Sequence, residues 1–246
     1  MPIDLIDLEQ LVKDYAESFL DGDHKRHADL KNPIISWDRM YVIYGETKYT
    51  KPEVPPKPTA HVLFSATFTN NTPSPQNHNL RIERSTRSTC EISFVKAFSY
   101  GFQIQMKLAP PNPVIEANAG FHSEVTNQKG YSSTTEQELT WGVDSEIVVR
   151  PGYQTKAELI FTEDDFNGDF EVLTSFEGKV IVTYENKKNK DHILTVTESV
   201  SKIFNSKNGF SKDSDGRPTF LVKGVCKCRF GVEQSVNLSE ILLSPS

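Results

Sequence analysis

The sequence is most informative between residues 98 and 126, which read FSYGFQIQMKL, APPNPV and IEANAGFHSEVT when divided into a first arm, a connection and a second arm. In the first arm the apolar residues occupy the even positions: Phe98, Tyr100, Phe102, Ile104, Met106 and Leu108. In the second arm they occupy odd positions, with Ser123 as the interruption: Ile115, Ala117, Ala119, Phe121 and Val125. A period of two residues places these side chains on one face of a β-hairpin.

The opposite face of this hairpin is polar. It carries Gln103, Gln105, Lys107, Glu116, Asn118, His122 and Glu124. The apolar face can lie on the core of the protein itself. It can also face lipid, because each arm has about the 9–11 residues that a tilted strand needs to cross a bilayer. The connection holds three prolines beside Ala109 and Val114, which suits a tip that enters lipid.

Insertion of this hairpin would require several copies of the chain. A single hairpin leaves the N–H and C=O groups of its edges without partners in hydrocarbon. A closed barrel with one hairpin from each protomer removes those edges. The pattern thus predicts that, if residues 98–126 insert, the chain forms a homo-oligomer whose apolar set faces lipid and whose polar set lines the lumen.

The chain from residue 60 onward alternates throughout and contains no β-α-β pattern. These features predict an elongated, mostly β, antiparallel fold. Besides the two arms, the predicted strands are 61–69, 80–86, 91–108, 132–143, 147–149, 155–162, 170–176, 179–184, 193–202, 219–225 and 227–232. Before them, apolar residues at helical spacing predict one N-terminal helix over residues 4–20. Four prolines between Lys51 and Pro58 predict an extended boundary, which divides the chain into residues 1–59 and 60–246.

The region before this boundary is rich in aromatic residues. Trp37, Tyr41, Tyr44 and Tyr49 are candidates for binding a receptor or a membrane, since aromatic rings stack on sugars and settle at lipid headgroups. The same rings can equally be ordinary core residues.

Charge and motifs exclude several other classes of function. The formal net charge of −6 has the wrong sign for a nucleic-acid partner. No signal peptide, nucleophile elbow or dinucleotide motif is present, so we expect neither an enzyme nor a bound cofactor. His24 and His27 lack further metal ligands, and residues 163–169 and 213–216 lack the full spacing of a calcium loop. Three cysteines, with two at 226 and 228, predict neither a zinc site nor a disulfide framework, and whether Cys90 is bridged stays open.

The order of motifs between residues 85 and 184 resembles one known family. A Ser/Thr-rich strand precedes the FSYGF sequence at 98–102, and a second Ser/Thr-rich strand leads to Trp141-Gly-Val143. IVVRPG at 147–152 stands where the family commonly has a turn with two prolines, although Arg150 departs from that pattern. FEGKV at 176–180 is similar to a Gly-containing strand start. The sequence resembles the aerolysin-like β-pore-forming proteins, in the branch of epsilon toxin and the mosquitocidal toxins.

This resemblance implies a protein that is secreted or released without an evident signal peptide and then acts at a target-cell membrane. It would bind that membrane, assemble into a ring and refold the hairpin into a transmembrane barrel. Recognition would fall to residues 1–59. The alternative from another class is a non-lytic protein on the same fold that binds carbohydrate or lipid. A third possibility is a crystal-type protoxin that proteolysis activates near residues 1–20 or 237–246.

Overall fold

The computed structural model describes residues 3–50, 57–100, 106–117, 125–126 and 132–244. Apart from residues 57 and 58, the predicted proline-rich connector lies outside them. In chain order the elements are β1 (Asp4–Asp7), α1 (Leu8–Glu17), α2 (Gly22–His27), β2 (Ile34–Ser36), β3 (Met40–Thr50), β4 (Thr59–Thr69), β5 (Gln76–Ser99), β6 (Lys107–Leu108), α3 (Asn112–Glu116), β7 (Val125–Thr126), β8 (Ser132–Val149), β9 (Tyr153–Glu185), β10 (His192–Ser199), α4 (Val200–Ile203), a 3₁₀ turn (Ser206–Asn208), β11 (Ser211–Lys212) and β12 (Pro218–Leu242).

Strand β9 organises a large, mostly antiparallel sheet. It is 33 residues long and pairs with β12 along residues 153–175. It also pairs with β4, β3, β2 and β10. On the other side of β12 lies β5, which continues the sheet to β8 and, in parallel, to β1. The mostly β, antiparallel architecture predicted from the alternation is confirmed.

The predicted ends of several strands are wrong, because neighbouring predicted strands join into one longer strand in the structure. Residues 155–162, 170–176 and 179–184 all belong to β9, and β5, β8 and β12 likewise each absorb two predicted strands, with β5 ending at Ser99. The acidic stretch at 163–169 continues β9 because β12 supplies partners beside it, including Arg229, whose Nε lies 3.0 Å from an oxygen of Asp165. This cross-strand partner is invisible in the local sequence. Residues 200–203 leave the predicted strand to form α4.

The protein has two hydrophobic clusters. The larger one collects side chains from α1, β3, β5, β9, α4 and β12, and it includes fully buried Phe170, Phe176 and Phe220. The smaller one lies where the β5–β8 pair packs over β9, with Leu80 and Val149 facing Leu159. Strands β5 and β9 each contribute residues to both clusters. The two clusters therefore lie at different places along these long strands.

The N-terminal helix begins later than predicted. Residues Asp4–Asp7 form β1, which pairs in parallel with residues 96–99 of β5, and α1 starts at Leu8. Asp7 sets this boundary, because its Oδ1 accepts hydrogen bonds from the backbone N–H groups of Glu9 at 2.9 Å and Gln10 at 3.3 Å. The apolar stripe of α1 packs on the larger cluster through Leu8, Val12 and Ala16. Across the described ranges, no helix is both long enough and apolar enough to span a membrane.

Candidate membrane-insertion segment

The predicted apolar face of the hairpin lies on the core of the protein wherever its side chains are described in the first arm. Phe98, Met106 and Leu108 are each at most 2% exposed, and Tyr100 packs beside them. The Phe98 ring meets the ring of Phe176 at a centroid distance of 5.0 Å in an edge-on arrangement. The described apolar residues of the first arm therefore lie against the protein itself in this structure.

A large part of the predicted hairpin lies outside the described residues. This holds for Phe102, Gln103, Ile104, Gln105, Asn118, Ala119, Phe121, His122 and Glu124. For Lys107 and Val125 only the backbone is described. The assignment of these positions to lipid or lumen stays a prediction.

The two arms meet in a short antiparallel ladder formed by β6 and β7. Leu108 pairs with Val125, and Lys107 pairs with Thr126. Residues directly opposite each other in an antiparallel pair point to the same face. The register therefore pairs two positions of the predicted apolar face, Leu108 and Val125, and places Lys107 of the predicted polar face opposite a second polar residue, Thr126.

The tip of the hairpin differs from its prediction. The second arm was predicted to be extended from Ile115, but residues 112–116 form the helix α3. The backbone N–H groups of Val114 and Ile115 donate to the carbonyl oxygen of Pro111 at 2.9 and 3.1 Å. Pro113 is tolerated in this first turn because the N–H that it lacks would have no helical partner there. Val114 is buried, whereas Ile115 is 52% exposed and Glu116 is exposed as well.

Strand β3 holds this tip through specific contacts. The hydroxyl of Tyr49 donates a hydrogen bond to the carbonyl oxygen of Ala109 at 2.6 Å, and the backbone N–H of Ala109 donates to Thr47 Oγ1 at 3.3 Å. Burial raises the pKa of Tyr49, so its hydroxyl keeps the proton that it donates. A cleft of about 370 Å³ remains between β3 and the tip, and Glu46 and Asn112 contribute to its walls.

Comparison with known proteins identifies the family of this chain. A sequence profile of the Clostridium epsilon toxin ETX/Bacillus mosquitocidal toxin MTX2 family matches residues 40–243, which is most of the chain. The chain belongs to this family. The resemblance inferred from the motif order is therefore confirmed, and the family is one of toxins that act on membranes. No curated protein matches the chain.

Solved structures of crystal proteins and a pore-forming protein share the ETX/MTX2-type fold of this chain. A non-toxic crystal protein from Bacillus thuringiensis is 12% identical, with a TM-score of 0.62 over 98% of both chains. A chain of the Cry23Aa1 and Cry37Aa1 binary complex is 15% identical, with a TM-score of 0.61 over 98% of this chain and 91% of that one. The β-pore-forming protein Mpp75Aa1.1 from Brevibacillus laterosporus is 9% identical, with a TM-score of 0.51 over 84% and 72%. At these identities the likeness shows the fold, which confirms the predicted elongated type.

The four aromatic residues predicted to bind a receptor divide into two groups. Tyr41 is 63% exposed on β3. Trp37, Tyr44 and Tyr49 are half-buried against the larger cluster. Trp37 meets the ring of Tyr100 at 5.5 Å and Tyr49 donates a hydrogen bond to Ala109, so both residues contact the hairpin segment. Receptor binding by these residues stays a prediction, and no local signal in the sequence indicates the contacts that Trp37 and Tyr49 make with the hairpin segment.

The motifs considered for metal binding have other partners in this structure. Arg217 Nε lies 2.8 Å from an oxygen of Asp213, and its Nη1 lies 2.6 Å from an oxygen of Glu177. Asp215 also pairs with Arg217. The acidic residues of the suspected loop at 213–216 therefore neutralise an arginine. His24 pairs with Asp21 at 2.9 Å on the exposed helix α2.

Removing the Tyr49 hydroxyl is expected to weaken the hold on the tip. Tyr49→Phe keeps the ring but loses the hydrogen bond to Ala109. We expect the free energy of unfolding to fall by about 1 kcal/mol, measured by denaturant titration. Vesicle dye release should become about fivefold faster, if release of the tip limits the rate. Tyr41→Phe removes a hydroxyl from an exposed ring on the same strand and should leave the free energy of unfolding unchanged; an equal fall in both variants would contradict the role of Tyr49.

Proposed function

We propose that this member of the ETX/MTX2 family is a β-pore-forming protein. A soluble monomer binds a target-cell membrane, associates with further copies into a ring, and inserts residues 98–126 of each protomer as part of a transmembrane β-barrel. Residues 1–59 supply recognition, and residues 60–246 supply the pore-forming module. The chain acts by permeabilising the membrane and catalyses no reaction.

The observation that carries this proposal is the protected position of the apolar residues that are described in the first arm of the hairpin. Phe98, Met106 and Leu108 alternate with polar residues and are buried in the core of the chain. A water-soluble protein that later exposes these side chains to lipid must shield them from water beforehand. Burial of each such apolar side chain stabilises the folded chain by about 1.5–3 kcal/mol relative to its exposure in water. The β6–β7 register also supports the proposal, because it pairs the two arms with Leu108 opposite Val125, two positions of the predicted apolar face.

Release of this segment needs a compensating environment. Moving the apolar face out of the core exposes the side chains that it covered, so the change is unfavourable in water. A bilayer offsets this cost by accepting the same face, and neighbouring hairpins satisfy the backbone hydrogen bonds of the edges. Membrane binding and oligomerisation thus precede insertion in the proposed order.

The proposed lumen carries a mixed set of charges. Each protomer contributes Lys107, Glu116 and Glu124, which are one positive and two negative groups. A ring of such hairpins would attract cations slightly more than anions, because fixed charge in a narrow aqueous pore enriches the opposite sign. We therefore expect weakly cation-selective pores.

Vesicles made from susceptible membranes test the proposal. Incubation of the purified full-length chain with them should release a trapped dye and should produce a heat-stable ladder of oligomers on electrophoresis. Vesicles of the same lipids without the membrane's proteins and glycolipids serve as the control for receptor dependence. Saturable binding with neither dye release nor a ladder, before and after limited trypsin treatment, would contradict pore formation.

That contrary result would support a second candidate, a non-lytic protein that binds carbohydrate or lipid. Two observations favour it: the fold also occurs in a crystal protein described as non-toxic, and Tyr41 presents an exposed aromatic ring on β3. In this case Tyr41→Ala should abolish membrane binding.

A further inference from the structure

Three cysteines meet in the interior of the protein. Cys90 lies on β5 and is separated by 136 positions from Cys226 on the neighbouring strand β12, where Cys228 is the register partner of Cys90. The Sγ atom of Cys226 lies 3.7 Å from that of Cys90 and 3.5 Å from that of Cys228. All three are free thiols, at most 3% exposed, and their sulfurs lie within 4.8 Å of one another.

These separations are close to those of sulfurs that share one metal ion. With a Zn–S bond of about 2.3 Å, two sulfurs lie about 3.8 Å apart in a tetrahedral site and about 4.0 Å apart in a trigonal one. The two measured separations are only a few tenths of an ångström shorter. A disulfide would bring one pair to about 2.05 Å and leave the third thiol alone.

The surroundings of the sulfurs favour a soft cation. Among the residues that the structure describes, the three thiols form a group of possible ligands without a carboxylate or an imidazole. Thiolate sulfur selects soft ions over Mg²⁺ or Ca²⁺.

We propose that Cys90, Cys226 and Cys228 form a binding site for one soft d¹⁰ divalent ion, Zn²⁺ or Cd²⁺. Binding replaces three S–H bonds by three metal–sulfur bonds; three protons leave to solvent, and no electrons are transferred. The ion joins β5 to β12 and adds stability to the folded chain, because the three sulfurs are brought together only by folding. The cluster also lies close to Tyr49, whose hydroxyl donates a hydrogen bond to Ala109 of the hairpin tip.

Cadmium is the probe for this site. The reduced full-length chain, refolded without oxygen in the presence of Cd²⁺ and then desalted, is expected to retain one Cd²⁺ per chain. It should show ultraviolet thiolate-to-cadmium charge-transfer absorption and a higher Tm than the metal-free protein. Refolding avoids the question of access to a buried site. No membrane is used, so the result is independent of the proposed pore formation.

Variants of the cysteines distinguish Cd²⁺ bound at this site from Cd²⁺ bound adventitiously elsewhere on the chain. Cys226→Ser removes the sulfur that is close to both others, and it should lose the retained ion and the absorption band. Cys228→Ser gives the same test if the first variant does not fold. Lys227→Ala changes the exposed residue between the two cysteines and should keep both signals. Absence of retained Cd²⁺ in the native sequence, or retention by the serine variants, would overturn the proposal.

Discussion

The oxidised double variant Thr47→Cys/Ala109→Cys is expected to bind vesicles without releasing their dye. The backbone N–H of Ala109 donates to Oγ1 of Thr47 at 3.3 Å, so the two residues are in direct contact, and thiol titration after oxidation checks that the two introduced cysteines have bridged. Such a bond fastens the tip of the hairpin to β3 covalently, so the segment is unable to leave the core. Dye release is measured by fluorescence before and after addition of a reductant, and reduction should restore it to the level of the native sequence.

The controls for this lock are the two single variants under the same oxidising treatment. The native thiols are buried, at most 3% exposed, so the new pair reacts in preference to them. Each single variant should release dye normally, and the locked protein should still sediment with vesicles. Full dye release by the locked protein would show that the tip of this segment does not need to leave β3, and it would contradict insertion of residues 98–126.

Substitution of Ile115 by arginine is expected to abolish pore formation while leaving the fold intact. Ile115 is 52% exposed in this structure and lines the open cleft beside β3, so an arginine there can extend into solvent. In the proposed barrel the same position faces lipid, where an arginine costs up to about 2–4 kcal/mol at the midplane and less near the interfaces. The cost recurs in every protomer of the ring. The measurements are thermal unfolding, which should be unchanged, and dye release, which should be lost.

Glu116→Arg is the matched control one position later. Glu116 is also exposed on α3, but its predicted position is the lumen. We expect this variant to form pores, and to convert the charges of each protomer to two positive and one negative, with Lys107 and Glu124 unchanged. Reversal potentials in planar bilayers should then shift from a weak cation preference to an anion preference. Similar activity of both variants, or an unchanged reversal potential, would contradict the assignment of the two faces.

The strand content and the parity of the hairpin could be predicted because both depend on local periodicity. Alternation in residues 98–108 identifies which side chains avoid water, and the structure buries Phe98, Met106 and Leu108 among them. The ends of the strands could not be predicted in the same way. Residues 163–169 look like a turn when read alone, and they continue β9 because β12 supplies hydrogen bonds and the charge of Arg229.

The sequence by itself determined the β class of this protein, the amphipathic hairpin and the order of motifs that marks the family, since these follow from residue type and spacing along one chain. The tertiary structure alone decided what lies against the hairpin. Tyr49 reaches Ala109 across 60 positions of sequence, and Cys90 reaches Cys226 across 136. Alternation indicates that one face of a strand avoids water. The alternating pattern is the same whether that face lies against lipid or against a protein core. The partner of that face depends on which distant strands meet, and that is a property of the folded chain.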